Sequence, residues 1–225
     1  MPARSETRIV SPIHDRRFDM DRRQRVADMS VEQMRRELLS SEVTGLPNRR
    51  AFDESCPCHV VALSDLDGLK ALNSYGYAVG DAILRAKGDA LREAGLDAYH
   101  DKGDEFLCRA DQADELRARL ECARTNLRHR SIRVQLANGT TLRIRGADFS
   151  YGIGRTFEEA ETCLRSHKTE RETRGEVARG QLCGITVSAE VLPVDLLHGD
   201  CHSGTVTSVT MKRAESRQSA PNQVQ

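Results

Sequence analysis

Apolar positions change their period several times along this chain, and each change marks an element. Residues 1–16 show no period and are expected to be loosely ordered. Over residues 17–40, Phe18, Val26, Met29, Met34, Leu38 and Leu39 recur among charges as on an amphipathic helix. Its apolar face could pack on its own domain or pair with a second copy. In TGLPNRRAF, Gly45 and Pro47 punctuate the chain, and Asn48 is placed to cap a short helix. HVVALSD (59–65) is an apolar, β-branched run of strand length. A short helix over 68–72 follows, then a longer one over 78–94 with Ile83, Leu84, Ala90 and Leu91 on one face. Residues 98–109 read as two strands joined tightly at 101–103, and 111–129 as a charged helix. SIRVQLANGTTLRIR alternates on both sides of Asn138-Gly139, a strong hairpin signal. FSYGIG reads as a strand and 157–174 as a final helix.

This order predicts an α+β fold, with helices covering a mostly antiparallel sheet. From residue 180 to 225 the pattern weakens into an extension. ITVSAEVLPVDL and GTVTSVTMK are candidate strands there, and the last dozen residues are expected to be disordered. Composition agrees with one core plus flanks: 225 residues are 38% apolar, with mean hydropathy −0.56. No apolar run approaches the ~20 residues of a membrane helix, and the N-terminal segment lacks a signal-like stretch, so a cytoplasmic protein with no membrane partner is expected. Thirty-four basic residues balance thirty-four acidic ones. That balance argues against a protein that coats nucleic acid by bulk charge. Seven cysteines without an export signal read as scattered thiols. Cys56-Cys58-His59 and His198-Cys201-His202 invite a metal reading but lack paired zinc-site spacing.

Two acidic sites carry the chemistry. In Ser64-Asp65-Leu66-Asp67-Gly68 an apolar strand ends in carboxylates, and in Gly103-Asp104-Glu105-Phe106 a tight turn enters a strand. Acidic residues favour turns for local reasons, so either motif alone says little. Carboxylates from two neighbouring strands, however, can hold Mg²⁺ against substrate phosphates. Such ions activate the attacking hydroxyl and neutralise the leaving group in phosphoryl transfer. Lys70, three residues past Asp67, could reach a polyphosphate.

Taken in order, TGLPNRRAF, DLDGLKALNSYGYAVGD, KGDEF, FSYGIG and the helix around Lys168 resemble the GGDEF family of diguanylate cyclases. The match covers about Ser41 to Arg174, and the expected domain is 41–179. The resemblance implies a palm-like nucleotidyl cyclase fold, and a homodimer whose two domains each hold one GTP and condense them to cyclic di-GMP. It implies Mg²⁺ (or Mn²⁺) held by Asp65, Asp104 and the Leu66 carbonyl, with Asp104 and Glu105 at the catalytic centre. It also implies guanine contacts from Asn73 and Asp81, triphosphate contacts from Lys70 and Lys168, and close nucleotide approach at Gly103. Arg171 stands one residue from Glu172, where the family carries an arginine, and is the expected substitute.

The chain departs from the family at Lys102 (the first signature glycine), His100 (usually arginine), Asn73-Ser74 and Gly76-Tyr77. Glu93-Ala94-Gly95-Leu96 replaces the inhibitory RxxD motif, so product inhibition through that site is not expected. Three functional readings stand. The first is a diguanylate cyclase. The second is a GGDEF-like module that binds GTP or a partner protein without turnover. The third is a related cyclase with altered nucleotide choice.

Overall fold

The computed structural model describes residues 28–55, 58–177, 181–182 and 184–190. In chain order these form helices α1 (Val31–Leu39) and α2 (Arg49–Glu54), strand β1 (Val60–Leu66), and helices α3 (Leu69–Asn73) and α4 (Tyr77–Glu93). Strands β2 (Asp97–Lys102) and β3 (Glu105–Ala110), helix α5 (Ala113–His129), and strands β4 (Ile132–Gln135) and β5 (Thr141–Arg145) follow. The described part closes with strand β6 (Phe149–Gly154), helix α6 (Phe157–Thr173) and strand β7 (Thr186–Glu190).

Strand β1 organises the rest. Its residues are mostly apolar and almost all buried, as in a strand covered on both faces. It pairs antiparallel with β3 on one side and β6 on the other, and β2 lies outermost, giving the order β2-β3-β1-β6. Alternation sorts its side chains. Val60, Ala62 and Leu66 join the core formed with Ile83, Leu91, Leu116 and Leu120 of α4 and α5. Val61 and Leu63 face the opposite way, onto Ala160 and Leu164 of α6 and Phe52 of α2. The molecule is therefore a three-layer α+β sandwich around a wholly antiparallel sheet, as the sequence predicts.

Two glycines set the spacing of one layer. A Cβ on Gly152 would fall 2.1 Å from the Leu164 nitrogen and 2.2 Å from the Ala160 oxygen. One on Gly154 would fall 2.5 Å from the Ala160 nitrogen. Helix α6 thus lies with its backbone against β6, a distance only glycine permits. Caps fix the helix starts: Ser30 and Gln33 form a capping box on α1, and Asn48 accepts from the Ala51 amide at the start of α2.

The expected hairpin forms, with β4 antiparallel to β5, but it is not closed by a two-residue turn at Asn138-Gly139. Such a turn requires positive φ at both residues, and here only Gly139 has it (φ 83°). The loop is wider, closed by the Leu136 amide on the Thr140 carbonyl. The chain beyond residue 180 is also not simply an appendage. Ile185 is buried in the core and β7 pairs antiparallel with β5, completing a three-stranded sheet β4-β5-β7. Lastly, α1 buries none of its residues, and Val31 (80%) and Leu38 (59%) are exposed. The expected N-terminal tail, the first part of the 17–40 helix, Cys56, the His198-Cys201-His202 loop and the second C-terminal strand lie outside the described residues.

Among the described residues no helix is long and apolar enough to cross a membrane.

Candidate functional site

The antiparallel β1–β3 pair brings the two acidic motifs together. Asp65 lies opposite Glu105 in the register, and the Leu66 amide donates to the Asp104 carbonyl at 3.2 Å. The end of one strand and the start of the other thus present Asp65, Asp104 and Glu105 at one end of the sheet. Gly103 makes the turn between β2 and β3 with φ 55°, a left-handed conformation that glycine adopts without strain. Burial pushes the Asp104 carboxyl above the usual range. The neighbouring Asp65 charge pushes the same way, while the Asp104 backbone bond, Lys87 and Lys168 pull against both.

Lysines meet these acids from three directions. Lys168 comes from α6, brought close by the glycine contact with β6, and its Nζ lies 2.7 Å from Asp65 Oδ2. Lys102 is exposed and pairs with Glu105 at 3.6 Å. Lys87, on α4, is wholly buried beneath the site. It donates to the Asp104 carbonyl at 3.1 Å and stands 4.3 Å and 5.1 Å from the ring centroids of Phe106 and Phe149. Burial lowers its pKa to about 8, and the charges of Asp65 and Asp104 oppose that fall.

His100 ties the turn to the N-terminal segment. Its Nε2 lies 3.0 Å from the Gly103 carbonyl. A carbonyl only accepts, so Nε2 carries the hydrogen and Nδ1 accepts from the Ser41 hydroxyl at 2.6 Å. The ring stacks on Phe106 with centroids 4.6 Å apart, and the His100 amide donates to the Pro47 carbonyl. Burial lowers its pKa, which favours this neutral tautomer.

The two expected guanine readers meet through a third glycine. A Cβ on Gly80 would fall 1.9 Å from Asn73 Oδ1, so the Asn73 side chain rests on the α4 backbone beside Asp81. Asp81 is half-buried and 3.9 Å from Arg85. Lys70 is exposed on α3.

Arg171 is placed elsewhere. Its side chain is 3% exposed, and its guanidinium is committed to Asp67 (2.6 Å), Ser150 (2.8 Å), the Phe149 carbonyl (3.2 Å), Glu176 (3.2 Å) and Asp148. Asp148 is further held by Arg124 (3.2 Å) and Arg128 (2.6 Å). Burial raises the Asp148 carboxyl, but bonds from Arg128 and Arg124 more than offset it and hold the group low. This buried network braces the end of β1 and leaves Arg171 no donor directed at a triphosphate. Lys87, His100 and this network are parts of the site that the sequence motifs do not indicate. Lys87 had a readable signal, since it shares the helix face of Ile83, Ala90 and Leu91.

The donor set suits a hard divalent ion. Mg²⁺ takes one or two carboxylates and completes its shell with substrate phosphates and water. Asp65, Asp104 and the Leu66 carbonyl supply oxygen donors of that kind, provided Lys168 releases Asp65. No three His, Cys, Asp or Glu side chains converge as a metal site among the described residues. Cys58, Cys108, Cys122 and Cys163 are free thiols, and burial pushes Cys108 up to about 12.

No family model matches the chain, and no curated protein matches it. Among solved structures it is similar to diguanylate cyclase SiaD of Pseudomonas aeruginosa in complex with its activator SiaC, with 22% identity and TM-score 0.49, covering 70% of this chain and 71% of that one. It is similar to the coiled coil and GGDEF domain of DgcB from Caulobacter crescentus in complex with c-di-GMP, with 20% identity and TM-score 0.49, covering 72% and 92%. It is also similar to the GGDEF domain of FimX from Pseudomonas aeruginosa, with 18% identity and TM-score 0.49, covering 59% and 94%.

Proposed function

We propose that this chain is a GGDEF-type nucleotidyl cyclase that condenses two GTP molecules into cyclic di-GMP across a homodimer. The observation that carries the reading is the β1–β3 register, which sets Asp65 beside the Asp104-Glu105 turn with Lys168 reaching in from α6. In each half-reaction the 3′-hydroxyl oxygen of one GTP bonds to the α-phosphorus of the other. The bond from that phosphorus to the β-bridging oxygen breaks, and pyrophosphate leaves. Glu105, at the mouth of the turn, takes the hydroxyl proton. Lys70 and Lys168 bind the triphosphate, while Asn73 and Asp81 read the guanine edge through an amide and an acceptor-only carboxylate. Asp65, Asp104 and the Leu66 carbonyl are the residues that would hold Mg²⁺ or Mn²⁺, whose charge activates the hydroxyl and offsets that of the phosphates.

One active site holds only half of the reactants, so two copies must face each other. The exposed Val31 and Leu38 on α1 support pairing through that helix. Incubation of the purified chain with GTP and Mg²⁺, followed by mass spectrometry of the nucleotides, tests the reading. Cyclic di-GMP is expected from the native chain and none from Asp104→Ala. Undiminished product from Asp104→Ala would refute the site.

A second reading is favoured by one observation: Lys102 and Lys168 already engage Glu105 and Asp65. A module with its acids so occupied would bind GTP and signal without turnover. GTP retained by a well-folded dimer, with no cyclic product, would select that reading.

A further inference from the structure

Three acidic residues and three lysines gather where β1 and β3 meet: two carboxylates are ion-paired, and the third acidic residue meets its lysine through the backbone. Asp65 has Lys168 at 2.7 Å and Glu105 has Lys102 at 3.6 Å. Asp104 offers its backbone oxygen to Lys87 at 3.1 Å. The three cations differ in freedom. Lys102 is 77% exposed and Lys168 one-third exposed, so both can turn towards solvent. Lys87 is fully buried between two phenylalanine rings and cannot leave. At neutral pH it is a positive charge fixed in place under the floor of the site.

Carboxylates alone repel a triphosphate, and a divalent ion is ordinarily what reverses that repulsion. Here the cluster is formally neutral before any ion arrives. An incoming Mg²⁺ would have to displace Lys168 from Asp65 while Lys87 opposes it from beneath. An incoming polyphosphate meets no net repulsion, and Lys102 and Lys168 can exchange a carboxylate partner for a phosphate oxygen at little cost in desolvation.

We propose that the site binds the triphosphate of a nucleotide without a divalent cation, using Lys102 and Lys168 as phosphate ligands and Lys87 as a fixed counter-charge. Metal, when used, enters with the bound nucleotide and not before it. The inference rests on the nucleotide-site reading above but separates binding from metal dependence.

Titration calorimetry of the full chain with GTP, in chelator and in Mg²⁺, tests it, together with manganese titration of the nucleotide-free chain followed by electron paramagnetic resonance. GTP is expected to bind in chelator with a Kd within about tenfold of that in Mg²⁺, and Lys102→Gly, an exposed change that leaves the core intact, to weaken metal-free binding by about tenfold. The nucleotide-free chain is expected to bind Mn²⁺ no more tightly than about millimolar. GTP binding that requires Mg²⁺, metal-free binding unaffected by Lys102→Gly, or micromolar Mn²⁺ binding without nucleotide would each overturn the proposal while leaving the nucleotide site standing. Absence of GTP binding under both conditions would overturn the nucleotide site itself, and this inference with it.

Discussion

Replacing Arg171 with methionine isolates the buried network behind the acidic site. The substitution roughly conserves volume, so the loss is electrostatic. Asp148 keeps Arg124 and Arg128. Asp67 keeps only the Ser150 hydroxyl at 3.0 Å among the partners described for its side chain. Burial already pushes the Asp67 carboxyl up, and Arg171 is the chief influence against it. Removing that partner leaves a nearly buried carboxylate uncompensated, which costs about 3–5 kcal/mol. Set against a total stability of about 5–15 kcal/mol, this is a large fraction. With a urea m-value of about 2 kcal/mol/M, the midpoint falls by about 1.5–2.5 M. A second substitution tells an unpaired charge from a packing defect. Asp67→Asn in the Arg171→Met background removes the charge but keeps the Ser150 bond, and should restore about half of the loss. Urea unfolding followed by circular dichroism measures both. A loss under ~1 kcal/mol for Arg171→Met, or no recovery with Asp67→Asn, would refute the assignment.

Gly152→Ala forces a methyl group into the α6 backbone, so a loss of at least ~3 kcal/mol and a fall in Tm of more than ~6 °C are expected; an unchanged melting curve would contradict the backbone contact. Lys87 has a pKa near 8 in the fold against 10.5 when exposed, so between those values the unfolded chain binds more protons and stability rises with pH. The rise is on the order of 3 kcal/mol and should vanish in Lys87→Met; equal slopes for the two chains in chelator, from pH 7 to 10.5, would count against a buried ammonium. His100 is lowered from 6.5 by burial, so its contribution is present above that value and lost as pH falls below it. His100→Asn should lose less stability than the native chain between about pH 7 and 5, and parallel curves would show that the ring is not held neutral.

The acidic ends of β1 and β3 were legible because each carboxylate pair follows or opens an apolar run beside a glycine. The long helix over 77–93 was legible because Ile83, Leu84, Ala90 and Leu91 repeat at helical spacing. Lys87 falls on that same stripe, so its burial was readable. What it meets was not: Phe106, Phe149 and the Asp104 carbonyl come from three separate segments of chain. Arg171 departs from its expected place for a geometric reason. One residue along a helix is a turn of about 100°, so a neighbour of position 172 looks onto a different surface. Here that surface is the core. Strand β7 reads from sequence as the start of an extension because its partner, β5, lies some forty residues earlier, and a pairing at that distance leaves no local period. The shape of the hairpin loop was hidden in φ angles, since Asn138-Gly139 is compatible with more than one turn.

The contact between His100 and the Pro47 segment also bears on how copies of this domain behave at high concentration. Strand β2 is the outermost strand of the main sheet on its side, and such an edge offers unpaired amides and carbonyls to any passing strand. Here the chain lays its own loop across that edge: the His100 amide is taken by Pro47, and Asn48 bridges to the same residue. Pro47 has no amide of its own to extend a ladder. The segment that helps hold the turn at Gly103 therefore also covers part of the β2 edge, so two copies are steered away from joining through that strand.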